Sequence, residues 1–111
     1  MSGCVSDEEL IEAVVRVLLS DEQDPRRLVR LLVGTWPEAA SLQIISVLAM
    51  AAGSVEHMLA GAAATRNAQD CWRMAGLIGV DLCMMQRMGL PHDTAGDLMA
   101  YWLVYDRFFL G

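Results

Sequence analysis

Residues 24–50, DPRRLVRLLVGTWPEAASLQIISVLAM, punctuate themselves as two helices. Asp24 before Pro25 is an N-cap followed by a proline at the first helical position, where the missing N–H costs nothing, and Gly34 supplies the matching C-terminal stop. A helix is expected over about 25–33, with Leu28, Leu31, Leu32 and Val33 facing a core and Arg26, Arg27 and Arg30 facing water. Trp36-Pro37 restarts the chain in the same manner, with Glu38 in the first turn to complement the positive end of the helix dipole. The next helix, about 37–52, carries Leu42, Ile44, Ile45, Val47, Leu48 and Met50 at nearly every angle. A helix that is apolar all round is buried, so this one is expected at the centre of a bundle or at a subunit interface.

Upstream, Ser6-Asp7-Glu8-Glu9 has the form of a capping box and opens a helix over about 6–20. Leu10, Ile11, Ala13, Val14, Val17 and Leu18 fall on one wide face, opposite Glu8, Glu9, Glu12 and Arg16, with Glu12 and Arg16 in the favourable i,i+4 order. Residues 1–5 are expected to be disordered.

Downstream, Gly53-Ser54 suggests a helix end and a new N-cap, and residues 37–66 form either one kinked helix or two. The small-residue segment 60–65 offers little side chain to bury, so its backbone must approach a neighbour closely. Asn67 is expected to cap a long helix reaching Met88, along which Ala75, Gly79 and Cys83 form a seam of small residues. Gly89-Leu90-Pro91-His92-Asp93 gives a glycine C-cap, a proline stop and an aspartate N-cap in order. The last helix then covers about 94–109, with Tyr101, Tyr105 and Phe108 on one stripe and Trp102 and Phe109 beside it. No strand alternation or internal repeat interrupts this pattern, which predicts an all-α, five- or six-helix bundle-like single domain over residues 1–111.

Hydrophobic residues make up 55% of the 111 residues, above the roughly 45–50% of an average domain. The most apolar run, residues 42–58, is broken by Gln43, Ser46, Ser54, Glu56 and His57 and falls short of the ~20 apolar residues of a membrane-spanning helix. The start, with Asp7, Glu8 and Glu9, has no basic and apolar leader pattern, so a cytoplasmic protein is expected. Eight arginines without a lysine, together with abundant alanine, point to a GC-rich bacterial coding sequence.

The net charge of −6 opposes attraction to phosphate or anionic lipid. Cys4, Cys71 and Cys83 share no CxxC or CxxH spacing, which speaks for reduced thiols rather than a disulfide framework or zinc site. His57 and His92 form no HxxxH or ExxH pair with another ligand, and the glycines at 53, 61, 76 and 79 make no phosphate loop. No catalytic residue, cofactor or metal is therefore expected.

The leading expectation is a non-enzymatic helical interaction or regulatory protein that self-associates, as a homodimer, through its surplus apolar surface. Its candidate interface residues are Ile44, Leu48, Ala75, Gly79, Tyr101, Trp102, Tyr105, Phe108 and Phe109. A heterologous protein partner is the other occupant considered. Residues 25–48 also have the length and glycine placement of a helix-turn-helix, although Pro37, Glu38, Ala39, Ala40, Ser41 and Gln43 offer little to base edges. That makes a DNA-binding regulator an alternative, and nucleic acid an unfavoured partner. A second alternative is a small acidic inhibitor of mobile-element type, whose charged first helix binds a basic surface. A third is a ligand pocket among Trp72, the methionines and the C-terminal aromatics.

Overall fold

The computed structural model describes residues 6–19, 24–58 and 62–110. It consists of five helices: α1 (Asp7–Leu18), α2 (Pro25–Thr35), α3 (Ser41–Met58), α4 (Ala62–Arg87) and α5 (Ala95–Val104), followed by a 3-10 turn at Phe108–Leu110. No strand occurs among the described residues, and the all-α bundle-like domain expected from the sequence is what forms. Residues 1–5 lie outside the described residues, as do residues 59–61 between α3 and α4, so that of the small-residue segment 60–65 residues 62–65 form the first turn of α4.

α3 lies between α1 and α4 and makes its most extensive packing with both. α1 runs parallel to it, the Gln43 side chain donating to Asp7 Oδ1 at 2.6 Å where the two helices begin. α4 returns antiparallel, so that Trp72 lies against Gly53 while Leu82, Cys83 and Gln86 meet Leu42 and Ile45. α2, α5 and the 3-10 turn pack on one another and close the core. The thinnest dimension is 19 Å, two helix diameters. The core runs through Leu10, Val14, Val29, Leu32, Ile44, Leu48, Ile78, Met85, Leu98 and Trp102.

The Asp24 cap forms as the sequence indicates, Asp24 Oδ1 accepting from the Arg26 N–H at 3.0 Å, whereas Ser6 caps α1 through the Glu8 N–H at 3.2 Å rather than through a reciprocal capping box with Glu9. The Glu12–Arg16 pair closes at 2.9 Å on the exposed side of α1.

Several boundaries differ from the local signals, each for a reason that lies elsewhere in the chain. α3 starts at Ser41 rather than Pro37. The Ala95 N–H donates to the Ala39 carbonyl and the Ser41 N–H to the Asp93 carbonyl, each at 2.8 Å, which holds residues 39–41 extended beside 93–95. α3 also passes through Gly53 without a break. Glycine inside a helix costs about 1 kcal/mol against alanine, but Val55 beyond it is fully buried, continuing the stripe of Leu48, Ala51 and Ala52. Burial of that stripe outweighs the propensity penalty.

α4 begins at Ala62, before Asn67. The Asn67 side chain caps a different helix, donating to the Leu18 carbonyl at the end of α1 at 3.0 Å. α5 is capped by Thr94 rather than Asp93: Thr94 Oγ1 accepts from the Asp97 N–H at 3.2 Å, and Asp97 Oδ2 accepts from the Thr94 N–H at 3.1 Å. α5 ends at Val104 because Asp106 Oδ1 accepts from the Phe108 N–H at 3.1 Å, a local bond that competes with the helical ladder. The chain turns back there and lays Phe109 on Trp102, with ring centroids 4.5 Å apart.

Two glycines are placed by geometry. Gly89 follows α4 with φ +71°, the left-handed position that only glycine occupies at no cost. At Gly96 a Cβ would lie 3.3 Å from the Pro37 carbonyl oxygen, which accepts the Gly96 N–H.

Candidate functional site

Of the nine residues expected at an interface, Ile44, Leu48, Trp102 and Phe109 are fully buried in the chain's own core, and Ala75 and Tyr101 are nearly so. Gly79 is half-buried, and Tyr105 and Phe108 are exposed. The aromatic C-terminal helix thus docks onto its own chain, and the surface available to a partner lies elsewhere.

α4 presents that surface. Trp72, Val80, Met84 and Met88 are 44%, 58%, 41% and 44% exposed, and with Gly76 they fall at successive i+4 positions. Such a row forms a ridge that slants round the helix by about 40° per step. Met74 and Met85 of the same helix face the core, so the methionines divide between inside and outside by helical phase. Leu42 of α3, 72% exposed, lines with Gly79, Cys83 and Gln86 a cleft of about 440 Å³ beside the ridge.

The ridge has defined ends. At one, the Trp72 ring covers Gly53 while its Nε1–H donates to Glu56 Oε1, which holds the indole flat across the α3–α4 seam. Asp70 stands nearby, 3.8 Å from Arg73. At the other end is Arg87, exposed and without an ion pair among the described residues. Above Gly76 there is open space: a Cβ built there meets no atom within 4 Å.

Other candidate chemistry does not converge. No group of three or more His, Cys, Asp or Glu side chains among the described residues is arranged to hold a metal ion. His92 Nδ1 lies 3.0 Å from the Leu90 carbonyl, and His57 is exposed on α3. Burial, with a smaller contribution from Asp70, pushes the Cys71 thiol up to about 12, which makes it a poor nucleophile. Cys83 is exposed at the cleft. No helix among the described residues is long and apolar enough to cross a membrane.

The helix-turn-helix geometry also meets specific obstacles. The first residue of α3, Ser41, is buried beneath residues 92 and 93, its Oγ donating to the His92 carbonyl at 2.7 Å. Arg26 is engaged by Asp24, by the Phe108 carbonyl at 3.4 Å and by the Phe108 ring, 5.4 Å from its centroid. Asp24 sits below its ordinary value: burial works against ionisation, but hydrogen bonds from Arg26 and the charges of Arg26 and Arg30 outweigh it.

One polar group is enclosed. Asp81 on α4 is 6% exposed, and its Oδ2 accepts from the Trp102 indole N–H at 2.9 Å. Desolvation raises its carboxyl above the ordinary range, the Trp102 hydrogen bond opposes this, and the neighbouring Asp106 adds to the rise by charge and by hydrogen bonding. Nothing in the local sequence pattern around Asp81 signals this enclosure, because the partner that encloses it, Trp102, lies 21 residues away.

The chain matches no protein-family model, no curated protein and no solved structure, so the surface of this molecule alone carries its functional reading.

Proposed function

We propose that this chain is a non-enzymatic helical interaction or regulatory protein that self-associates as a two-fold dimer through the outer face of α4. The carrying observation is the exposed i+4 ridge of Trp72, Gly76, Val80, Met84 and Met88. With Leu42 it leaves roughly 500 Å² of side-chain surface in water, the size of patch that marks interaction sites, and more than half of the ~800 Å² each partner of a stable complex contributes.

A second copy suits this ridge because the ridge is complementary to its own reversal. A two-fold axis midway between Gly76 and Val80 sets Val80 over the partner's Gly76, where space is open. The same operation sets Trp72 against the partner's Met84, a favourable thioether–aromatic contact. Packing of i±4 ridges crosses two helices at about −50°. The acidic end, with Glu56 and Asp70, then meets the end that carries Arg87. A two-fold interface repeats each of these contacts, so each good contact counts twice. Reduced Cys71 and Cys83 suit a cytoplasmic setting for such a protein.

Light scattering after size exclusion, at several protein concentrations, tests the proposal. The expected mass is twice that of the 12.2 kDa chain, and Val80→Glu is expected to halve it with the helical circular dichroism unchanged. A native protein that stays monomeric at about 100 μM, well above the micromolar range of specific association, overturns the proposal. So does a Val80→Glu variant of unaltered mass.

A further inference from the structure

The cleft beside the ridge is lined by two kinds of chemistry. Leu42, Ile45 and Leu82 supply an apolar wall, and Gln86, His92 and Asp93 a polar one. At Gly79 the cleft is open, since a Cβ built there meets no atom within 4 Å. Its volume of about 440 Å³ falls within the roughly 300–1,000 Å³ of small-molecule sites. Trp72, the methionines and the C-terminal aromatics, among which the sequence suggests a ligand pocket, take no part in it.

The polar wall is held in place before any ligand arrives. The Ser41 N–H donates to the Asp93 carbonyl at 2.8 Å and the Ser41 hydroxyl to the His92 carbonyl at 2.7 Å, which fastens the turn at 92–93 to the start of α3. The His92 ring is fixed as well, with Nδ1 3.0 Å from the Leu90 carbonyl. A carbonyl only accepts, so Nδ1 carries the proton, and in the neutral ring Nε2 presents a lone pair. Nε2 has no partner among the described residues, and neither do the side chains of Gln86 and Asp93. A wall ordered in advance loses little conformational freedom on binding.

We propose that this cleft binds a small primary amine with an apolar body, the ammonium donating to the Asp93 carboxylate and to His92 Nε2 and the body lying on Leu42, Ile45 and Leu82. An ammonium offers three donors and no acceptor, which suits a wall whose open valences are a carboxylate, a ring lone pair and an amide. Among the described residues Asp93 is the one charged side chain that lines the cleft. The whole chain carries a net charge of −6, so its field draws in cations and repels anions. A carboxylate on the same apolar body would meet Asp93 as a like charge.

The test is an amide NMR titration of the isotope-labelled full chain with phenethylamine, and in parallel with phenethyl alcohol and phenylacetate, which keep the ring and replace the ammonium by a hydroxyl or a carboxylate. Phenethylamine is expected to give saturable shifts at Gly79, Cys83, Gln86 and His92, with a Kd at or below about 1 mM. Phenethyl alcohol is expected to bind about fivefold more weakly, the size of an exposed ion pair, and phenylacetate not to saturate. Asp93→Asn alters a side chain that holds nothing in the fold, and is expected to weaken phenethylamine about fivefold. Gly79→Leu fills the open space with a good helix former and is expected to abolish the saturable shifts with the helical circular dichroism unchanged.

Absence of saturation by about 10 mM phenethylamine, well above the expected Kd, overturns the proposal. So do shifts centred on other residues, phenylacetate binding as tightly as the amine, or undiminished affinity in Asp93→Asn.

Discussion

The Trp102 indole N–H points at Asp81 Oδ2 across 2.9 Å, and both residues are almost wholly withdrawn from solvent. Among the described residues this is the one buried side-chain hydrogen bond that joins α4 to α5. A single donor serves a carboxyl that burial would otherwise leave without compensation, and removing it exposes the full desolvation cost of what remains. Trp102→Phe keeps most of the apolar volume and deletes the donor. Its expected cost is about 1–3 kcal/mol, seen in urea unfolding as a lower midpoint at constant m-value.

The same site sets a sign for the dependence of stability on pH. The Asp81 carboxyl is raised in the folded state by burial and then by Asp106, against the pull of Trp102. A raised folded value means that the fold favours the protonated form. The associated stability is complete below the unfolded aspartate value of about 3.9 and is lost as pH rises through the folded value. Asp81→Asn cannot ionise, so its stability relative to the native protein is expected to increase as pH rises through that interval. Urea titrations at a series of pH values check this, and a constant difference would mean that Asp81 is not raised.

Two glycines on opposite sides of the steric limit make a paired test. At Gly96 an added methyl meets the Pro37 carbonyl oxygen at 3.3 Å, and that oxygen is already engaged by the Gly96 N–H at 2.8 Å. Gly96→Ala is expected to cost about 1–2 kcal/mol, as a small overpacking does. Gly76 sits mid-helix on α4 with nothing within 4 Å of its added Cβ, so Gly76→Ala is expected to stabilise the monomer by about 0.5–1 kcal/mol. Thermal unfolding of dilute protein should move the two melting temperatures in opposite directions.

Local signals were sufficient where a structural feature is made by residues close in sequence. The caps at Ser6 and Asp24, the Glu12–Arg16 pair and the left-handed Gly89 were all legible for that reason. They failed where a distant segment supplies the partner. Pro37 looks like a helix start, but the chain from 93 to 96 claims the carbonyls of Pro37 and Ala39. Asn67 has the chemistry of a cap, and uses it on α1, 49 positions away. On α2 the expected inward Leu31 is half exposed, while Val29, left out of that face, is fully buried. The neighbours that decide this phase are α5 and the 3-10 turn.

The candidate surface was legible only in part. Aromatic density drew attention to residues 101–109, yet large aromatics are what a small domain uses to fill its core, and Trp102 and Phe109 do so. The ridge from Trp72 to Met88 was written in the sequence as an i+4 spacing. Trp72 and the methionines were instead read together as a ligand pocket, because Met74 and Met85, which face the core, interleave with the ridge at the other helical phase.

Phe108 and Phe109 separate the observed chain end from a helix continued to residue 109. In a continuous helix Phe108 would extend the stripe of Tyr101 and Tyr105, and Phe109, about 100° round, would point away from that stripe. In the 3-10 turn Phe109 is 1% exposed against Trp102, whereas Phe108 is 44% exposed, with Arg26 above its ring and Phe109 at its edge. Phe109→Ala is therefore expected to cost about 3–5 kcal/mol, the range for emptying a buried aromatic site. Phe108→Ala forfeits a partly exposed cation–π contact of about 0.5–1 kcal/mol and some edge packing, and is expected to cost well under half as much. Urea unfolding of the two variants measures the contrast. Equal costs would mean that Phe109 is not the ring buried against Trp102, and would remove the turn on which the Asp106–Phe108 bond depends.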